Sequence, residues 1–223
     1  RENLIVFDRS SALQYRFGMP GPQIEEKEWK ELLAAVEQIN DADFIIASGS
    51  IPLGVPADIF ARIGEITKRK NIKYIVDTSG EALKGALETD VILLKPNLGE
   101  LSALSGKNEF TSHDQIFKAA SYILSKGHCQ GLIISMGASG AFFISAEHRL
   151  QIIPPAVKRK STVGAGDSMV AGIVLALSKG YSLPDAARYG VACGTAATIN
   201  PGTALCDKED ADIIMQQLTC TNL

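Results

Sequence analysis

The chain has 223 residues, with 22 Lys and Arg against 25 Asp and Glu, and a formal net charge of −3. With 46% hydrophobic and 21% charged side chains, it is neither a disordered tail nor a collagen-like chain, and its length fits about one large domain or one and a half ordinary ones. The near-neutral charge argues against a nucleic-acid binder, and the longest strongly apolar stretch, residues 169–177, falls far short of the roughly 20 residues that span a bilayer.

Residues 3–8 and 14–17, separated by a polar turn, read as two short strands joined in a hairpin, which Met19-Pro-Gly-Pro22 ends. From Glu25 onward Trp29, Leu32, Leu33, Val36 and Ile39 fall at helical spacing. Residues 44–47 form a buried strand closed by Ser48-Gly-Ser-Ile-Pro52, and Ile59, Ile63 and Ile66 mark a helix running out into Lys68-Arg-Lys70. Strands are predicted at 74–76 and 91–94, a helix at 112–126, and strands at 132–135, 140–144 and 150–153. Three helices follow, beginning near Gly166, Pro184 and Asp207. Continuous apolar strands alternating with helices predict an α/β fold whose parallel sheet is covered on both faces, with ligands at the carboxyl ends of the strands.

Cys129, Cys193, Cys206 and Cys220 are scattered, without a C-x-x-C pair or zinc spacing, and read as reduced thiols of a cytosolic protein. His113, His128 and His148 lie apart in polar surroundings and read as surface residues. The first residue is Arg1, with no initiator Met and no signal-peptide apolar region, so the chain is expected to begin inside a longer gene product.

The strongest chemical signal is Ser161-Thr-Val-Gly-Ala-Gly-Asp-Ser168, followed at once by an apolar helix. Small residues ahead of a helix leave backbone N–H groups uncovered, and the helix end adds partial positive charge, which together favour an anion. Asp167 in the first turn could take a proton from a hydroxyl attacking a phosphoryl group; the same residues also read as a tight turn with an acidic helix start. Lys95-Pro-Asn-Leu-Gly-Glu100 follows the strand at 91–94. Asn97 and Glu100 share a helix face and carry oxygens that suit Mg²⁺, or they form a helix cap. Ser135-Met-Gly-Ala-Ser-Gly140 is another small-residue turn after a strand, open to a nucleotide or simply a hairpin turn.

The order of these motifs resembles the ribokinase-like (phosphofructokinase B) sugar kinases over nearly the whole chain, from Arg1 to about Asp210. The likeness is closest to the 6-phosphofructokinase branch. It is carried by Gln14-Tyr-Arg-Phe17 with Pro20-Gly21, Val76-Asp-Thr-Ser-Gly-Glu-Ala-Leu83, Lys95-Pro-Asn97 with Glu100-Leu-Ser-Ala-Leu104, and residues 161–170. Ala196-Ala-Thr198, Asn200 and Gly202-Thr203 complete it.

The resemblance implies a three-layer α/β/α fold with a mostly parallel central sheet and a partial β lid. Residues 1–20 would be the remnant of the lid and 21–223 the kinase core. Asp167 would be the general base, and the amides of Gly164, Ala165 and Gly166 the anion hole for the transferring phosphoryl group. Asn97 and Glu100 would organise Mg²⁺ and the phosphates of ATP, with Lys95 at the same mouth. Ser135, Gly137 and Gly140 would line the nucleotide site, with Val191 and Thr195 near the base. A monovalent cation, K⁺ for example, would lie beside the anion hole at Ser161, Val163, Ala197, Asn200 and Gly202, through backbone carbonyls where the side chain is apolar. Lys158-Arg-Lys160 upstream reads as a solvated loop.

For the substrate, the resemblance points to Arg1 and Ser50 as contacts to a sugar phosphate. A guanidinium fork suits a phosphate dianion, while the residues alone read Arg1 equally well as a frayed terminus. The implied reaction is transfer of the γ-phosphate of ATP to fructose 6-phosphate in the cytosol. Relatives acting on tagatose 6-phosphate or fructose 1-phosphate carry similar motifs, and a non-catalytic nucleotide-binding remnant is the alternative of another class. The family's amino-terminal segment, with its sugar-gripping acid and G-G-x-x-x-N motif, has no counterpart in residues 1–223. The chain by itself is therefore expected to be inactive, and a lid-mediated homodimer is expected only of a longer form.

Overall fold

The computed structural model describes residues 2–8, 10–11, 13–107 and 109–223. Two antiparallel strands, β1 (Asn3–Asp8) and β2 (Leu13–Gly18), form a separate two-stranded sheet with Leu4 opposite Phe17 and Val6 opposite Tyr15. After α1 (Glu26–Gln38) comes the main sheet of seven strands in sequence order. These are β3 (Phe44–Ser48), β4 (Lys73–Asp77), β5 (Val91–Leu94), β6 (Cys129–Ser135), β7 (Ala141–Ser145), β8 (Arg149–Ile153) and β9 (Thr219–Asn222). Pairing is parallel from β3 to β6 and antiparallel from β6 to β9, so β3, β4, β5, β6 and β8 all point one way.

The helices α2 (Ile59–Lys70), α3 (Gly80–Ala86), α4 (Leu98–Ser105) and α5 (His113–Leu124) connect the parallel strands. Each connection steps to the next strand in the same direction, and a fixed crossover hand then places all four helices on one face. The opposite face takes α6 (Ala165–Ser178) and α7 (Leu183–Thr198), and α8 (Lys208–Gln217) packs on α7.

The period of two along each strand divides the core. Tyr74, Val76, Leu94, Leu132, Ile134, Phe142 and Ile144 join the layer under α2–α5. Ile75, Leu93, Ile133, Phe143 and Ile152 join the layer under α6 and α7. Every one of these strand positions is buried on its own side, which is why the sequence reads as continuous apolar runs and not as alternation. Fully burying one such aliphatic or aromatic side chain contributes about 1.5–3 kcal/mol. The core is therefore a sandwich of two apolar layers with the sheet between them.

Two elements, α3 and β9, carry no sequence signal, and a third, α4, is only one of two readings of its residues. Helix α3 spans 7 residues, too short to show a helical period. Helix α4 was foreseen only as one reading of Asn97 and Glu100; the structure builds it, with both residues capping its start. Strand β9 is Thr-Cys-Thr-Asn with every residue exposed, and it exists because β8 offers an unpaired edge: Ile152 pairs with Cys220. Of the histidines, His113 is exposed as expected but sets its ring edge-on against Phe142, 4.8 Å between centroids. His128 faces Asp90 at 3.4 Å. All four cysteines are free thiols. Among the described residues no helix is long and apolar enough to cross a membrane.

Candidate active site

Strands β4, β5 and β6 end at one edge of the sheet, at Asp77, Leu94 and Ser135. Parallel pairing brings these ends together, and the residues just beyond them inherit the same neighbourhood. An isolated bridge joins Asn97 to Ser135, and the Ser135 N–H donates to the Pro96 carbonyl at 3.0 Å. Two motifs 38 positions apart in the sequence are thus held side by side by one ladder.

Lys95 is 8% exposed, and its Nζ lies 3.1 Å from Asp77 Oδ1. The same ammonium sits 3.6 Å from where a β-carbon on Gly166 would be, so it reaches the opening turn of α6. Burial raises the Asp77 carboxyl above the ordinary range, Lys95 pulls it back down, and the charge of Asp167 adds a further push upward. Asp77 and Lys95 therefore form an ion pair just where β4 and β5 end, with the opening turn of α6 within reach of the ammonium. Asp77 was quoted in the sequence as part of a family stretch but given no role. Only its position at the end of a strand beside β5 marks it.

The Lys95–Asp77 pair is nearly dry, and a charge left there without its partner costs about 1–3 kcal/mol. Lys95→Met is accordingly expected to destabilise the protein by that amount at pH 7.5. The sign in pH follows from Asp77, whose folded-state pKa is raised. Above its unfolded value of about 4, keeping the charged form buried costs stability, and that cost fades as pH falls through the raised folded value. Removing the ammonium raises the folded value further, so the gap between variant and wild type narrows towards pH 5. Urea midpoints at the two pH values measure this; equal gaps would acquit Asp77.

The opening of α6 is built from small residues for a geometric reason. Gly164 is the N-cap with φ 76°, a left-handed conformation, and a β-carbon there would stand 2.5 Å from Leu205 Cδ2. Ser168 N–H donates back to the Gly164 carbonyl at 2.8 Å, which starts the helix, and Ala165 N–H reaches Thr162 at 3.4 Å. The N–H groups of the first turn have no intrahelical acceptors, and Gly166 and Asp167 are exposed there. The turn can receive an anion, and Asp167 stands beside it.

A cavity of about 680 Å³ opens along this edge. Its wall includes Lys95, Ser135, Gly137, Gly140, Ala165, Gly166, Val191 and Thr195, together with Pro154–Val157, Arg159, Met169 and Thr198, which are given no role in the site by the sequence. Arg159, read as part of a solvated loop, is exposed and borders that wall. The volume falls in the range typical of small-molecule sites. Asp167, Asn97 and Glu100 are not in its wall.

Asn97 and Glu100 make the reciprocal cap of α4: Glu100 N–H donates to Asn97 Oδ1 at 2.9 Å, and Asn97 N–H donates to Glu100 Oε2 at 2.8 Å. The capping reading is thus realised. It leaves Glu100 Oε1 outside the cap, so capping and contact with a hydrated cation are compatible. Among the described residues no three His, Cys, Asp or Glu side chains gather as a metal cage.

The positions suggested for a monovalent cation are brought into one loop region. Ser161 Oγ donates to the Gly202 carbonyl at 2.6 Å and accepts from Val163 N–H at 3.1 Å. Asn200 N–H donates to the Ala197 carbonyl at 3.3 Å, and its side-chain amide donates to the Leu205 carbonyl at 2.7 Å. Ser50 lies exposed just after β3. Arg1 lies outside the described residues.

Comparison with known proteins agrees with this architecture. Over 220 residues the chain is 41% identical to the ATP-dependent 6-phosphofructokinase isozyme 2 of Escherichia coli (strain K12), covering 98% of this chain and 71% of that enzyme. It is 33% identical over 198 residues to a 1-phosphofructokinase of Borreliella burgdorferi, covering 88% of this chain and 63% of that enzyme. The crystal structure of Escherichia coli phosphofructokinase-2 in complex with potassium superposes with a TM-score of 0.92 at 41% identity, over 97% of this chain and 70% of that one. The model of the pfkB family carbohydrate kinases matches residues 5–210. The seven-stranded sheet, the small-residue opening of α6 and this match together place the chain in the pfkB carbohydrate kinase family.

Proposed function

We propose that this protein transfers the γ-phosphate of ATP to the hydroxyl of a sugar phosphate, with fructose 6-phosphate as the preferred acceptor. The observation that carries the reading is the cavity edge at the start of α6. There the Lys95 ammonium, Ala165 and Gly166 line one cavity, and Asp167 follows in the same exposed first turn of α6, just outside the wall. Phosphoryl transfer demands positioning and charge stabilisation more than covalent chemistry. Asp167 accepts the proton of the acceptor hydroxyl as it attacks. The amides of Gly164, Ala165 and Gly166 receive the equatorial oxygens of the transferring group, and Lys95 balances their charge from the β5 side. The adenosine end occupies the wall formed by Ser135, Gly137, Gly140, Val191 and Thr195. Arg1 and Ser50 hold the phosphate of the acceptor.

Mg²⁺ would be held through Glu100 Oε1 and Asn97, directly or through water, and would supply neutralisation of the nucleotide phosphates. Glu100→Gln is expected to raise the Mg²⁺ concentration needed for half-maximal rate by roughly tenfold, the usual size of such ligand-shell changes. The fold should be unaffected, because glutamine also completes a capping box. An unchanged Mg²⁺ titration would reduce Glu100 to a cap. A monovalent cation, K⁺ for example, is proposed for the loop that carries Ser161 and Gly202.

The β1–β2 hairpin is proposed as a lid over the acceptor side. Its outer face shows Leu4, Val6, Leu13, Tyr15 and Phe17, each 41–55% exposed. So contiguous an apolar face fits a second copy of the same hairpin, and the working form is proposed to be a homodimer joined there. Its mass in solution, measured by sedimentation, tests that.

The reading as a whole is tested, in a longer form that carries the family's amino-terminal segment, by ADP release with fructose 6-phosphate, fructose 1-phosphate, tagatose 6-phosphate and no sugar; residues 1–223 alone are proposed to give no sugar-dependent release. The proposal expects the first to give the highest kcat/KM. A preference for fructose 1-phosphate would move the protein to the branch of its 1-phosphofructokinase relative. ATP binding with no sugar-dependent turnover would leave a nucleotide-binding remnant.

A further inference from the structure

One contact ties the hairpin to the core in a way that the phosphoryl-transfer reading does not use. Gln14 lies on the inner face of β2, opposite Phe7 and half-buried, while its neighbours Leu13 and Tyr15 face outward. Its Nε2 donates to Ser161 Oγ at 3.2 Å, across 147 positions of sequence. Ser161 is 3% exposed. Its hydroxyl donates to the Gly202 carbonyl at 2.6 Å and accepts from Val163 N–H at 3.1 Å. A hydroxyl has one donor and two acceptor sites, so with Gln14 in place all three are used. The Ser161 N–H is also engaged, donating to the Thr198 carbonyl at 3.3 Å at the end of α7.

Ser161 is therefore a saturated, buried junction. It joins the hairpin through Gln14, the 199–206 loop through Gly202, and the turn into α6 through Val163, one residue before Gly164. Buried polar networks act as units: satisfied, they are rigid, and removing one member loosens the others. A change in hairpin position that breaks the Gln14 contact would leave one acceptor site of Ser161 unmet in a dry place, beside the turn that must hold its amides in register.

We propose that Gln14 is a positioning residue. It locks the β1–β2 hairpin to the Ser161 hydroxyl, so that the placement of the hairpin and the geometry of the anion-binding turn at 161–166 are set together. This rests on the proposed kinase function for its purpose, though not for its existence. Gln14→Leu keeps the size and removes the donor, and Gln14→Ala gives a second, smaller variant should an extra leucine on this strand promote aggregation.

The decisive measurement is amide hydrogen exchange of residues 161–166 in the protein without ligands, together with a Gln14→Leu and Ser161→Ala double-mutant cycle on stability. The proposal expects exchange at 161–166 to quicken several-fold in either Gln14 variant, while β5 and β6 keep wild-type protection. It also expects the two stability changes to be non-additive, as for residues sharing one network. In turnover, kcat should fall roughly 10-fold with KM for ATP nearly unchanged, since small displacements near a transfer site cost up to about 10²-fold. Wild-type exchange at 161–166, additive stability changes or an unaltered kcat in an active enzyme would each overturn the proposal. If the longer form with the family's amino-terminal segment shows no sugar-dependent turnover, the kinase reading fails, and exchange and the double-mutant cycle still decide the Gln14 contact.

Discussion

Asp167→Asn is expected to lower kcat for sugar phosphorylation by about 10²–10⁴, the usual cost of removing a general base, with little change in the Kd for ATP. The carboxylate is exposed in the first turn of α6, beside amides with no intrahelical acceptors, so the amide replacement fits without repacking anything. Two electrostatic effects oppose each other. Loss of a negative charge near the nucleotide phosphates removes repulsion and favours ATP slightly. The acceptor hydroxyl, with no base to take its proton, attacks far more slowly, and this effect wins by orders of magnitude. The same substitution also removes the charge that, after burial, pushes the Asp77 carboxyl upward, so the pKa of Asp77 should fall. Steady-state kinetics with isothermal titration of ATP separate the terms. A wild-type kcat with intact binding would remove Asp167 from the mechanism.

Gly140→Ala is expected to destabilise the protein by roughly 3–5 kcal/mol, a left-handed strain and a backbone overlap together. Gly140 has φ 86° and ψ −133°, a region open to glycine and closed to residues with a β-carbon. A β-carbon built there would stand 2.0 Å from the Ile152 carbonyl oxygen on β8 and 2.7 Å from Pro154. Backbone cannot swing aside as a flexible side chain would, so the hairpin from β6 to β7 or the β8 edge must move. The turn is also held by Met136 N–H donating to the Gly140 carbonyl at 2.8 Å, and Gly137, Gly140, Pro154 and Pro155 all contribute to the cavity wall. Nucleotide affinity should therefore fall along with stability. For a chain of this size the loss corresponds to a melting shift on the order of 10 °C. Gly137→Ala is the control: its φ of 58° is strained but nothing stands within 4 Å of a new β-carbon, so its cost should be the smaller. Equal shifts would mean that the overlap with Ile152 is relieved without cost.

Much of the architecture was legible because both faces of the sheet are covered in its middle; the edge strand β3, expected to be buried, is only partly so, with Ile46 41% exposed. The apolar runs at Phe44, Tyr74, Val91, Leu132, Phe142 and Leu150 had to be strands. The helix starts near Gly166, Pro184 and Asp207 fell within one residue of those found at Ala165, Leu183 and Lys208. Local rules suffice there, since a buried strand and a capped helix each carry their own signal. Elements without one were missed: α3 is shorter than two helical turns, and β9 has no apolar face. Asn97 and Glu100 carried two meanings in the sequence, and geometry realised the cap while leaving one carboxylate oxygen outside it.

By itself the sequence determined the α/β class, the succession of strands and helices along the chain and the places where small residues open backbone to a ligand, because each depends on residues close together in the chain. Tertiary structure alone decided which of these places meet. Parallel pairing of β4 and β5 sets Asp77 against Lys95, and the packing of α6 on the sheet sets Lys95 against Gly166. The return of the chain after β8 turns Pro154–Val157 and Arg159 into a cavity wall. The hairpin brings Gln14 to Ser161 over 147 positions. Contacts at such separation depend on how whole layers pack against one another, and no local pattern of residues encodes that.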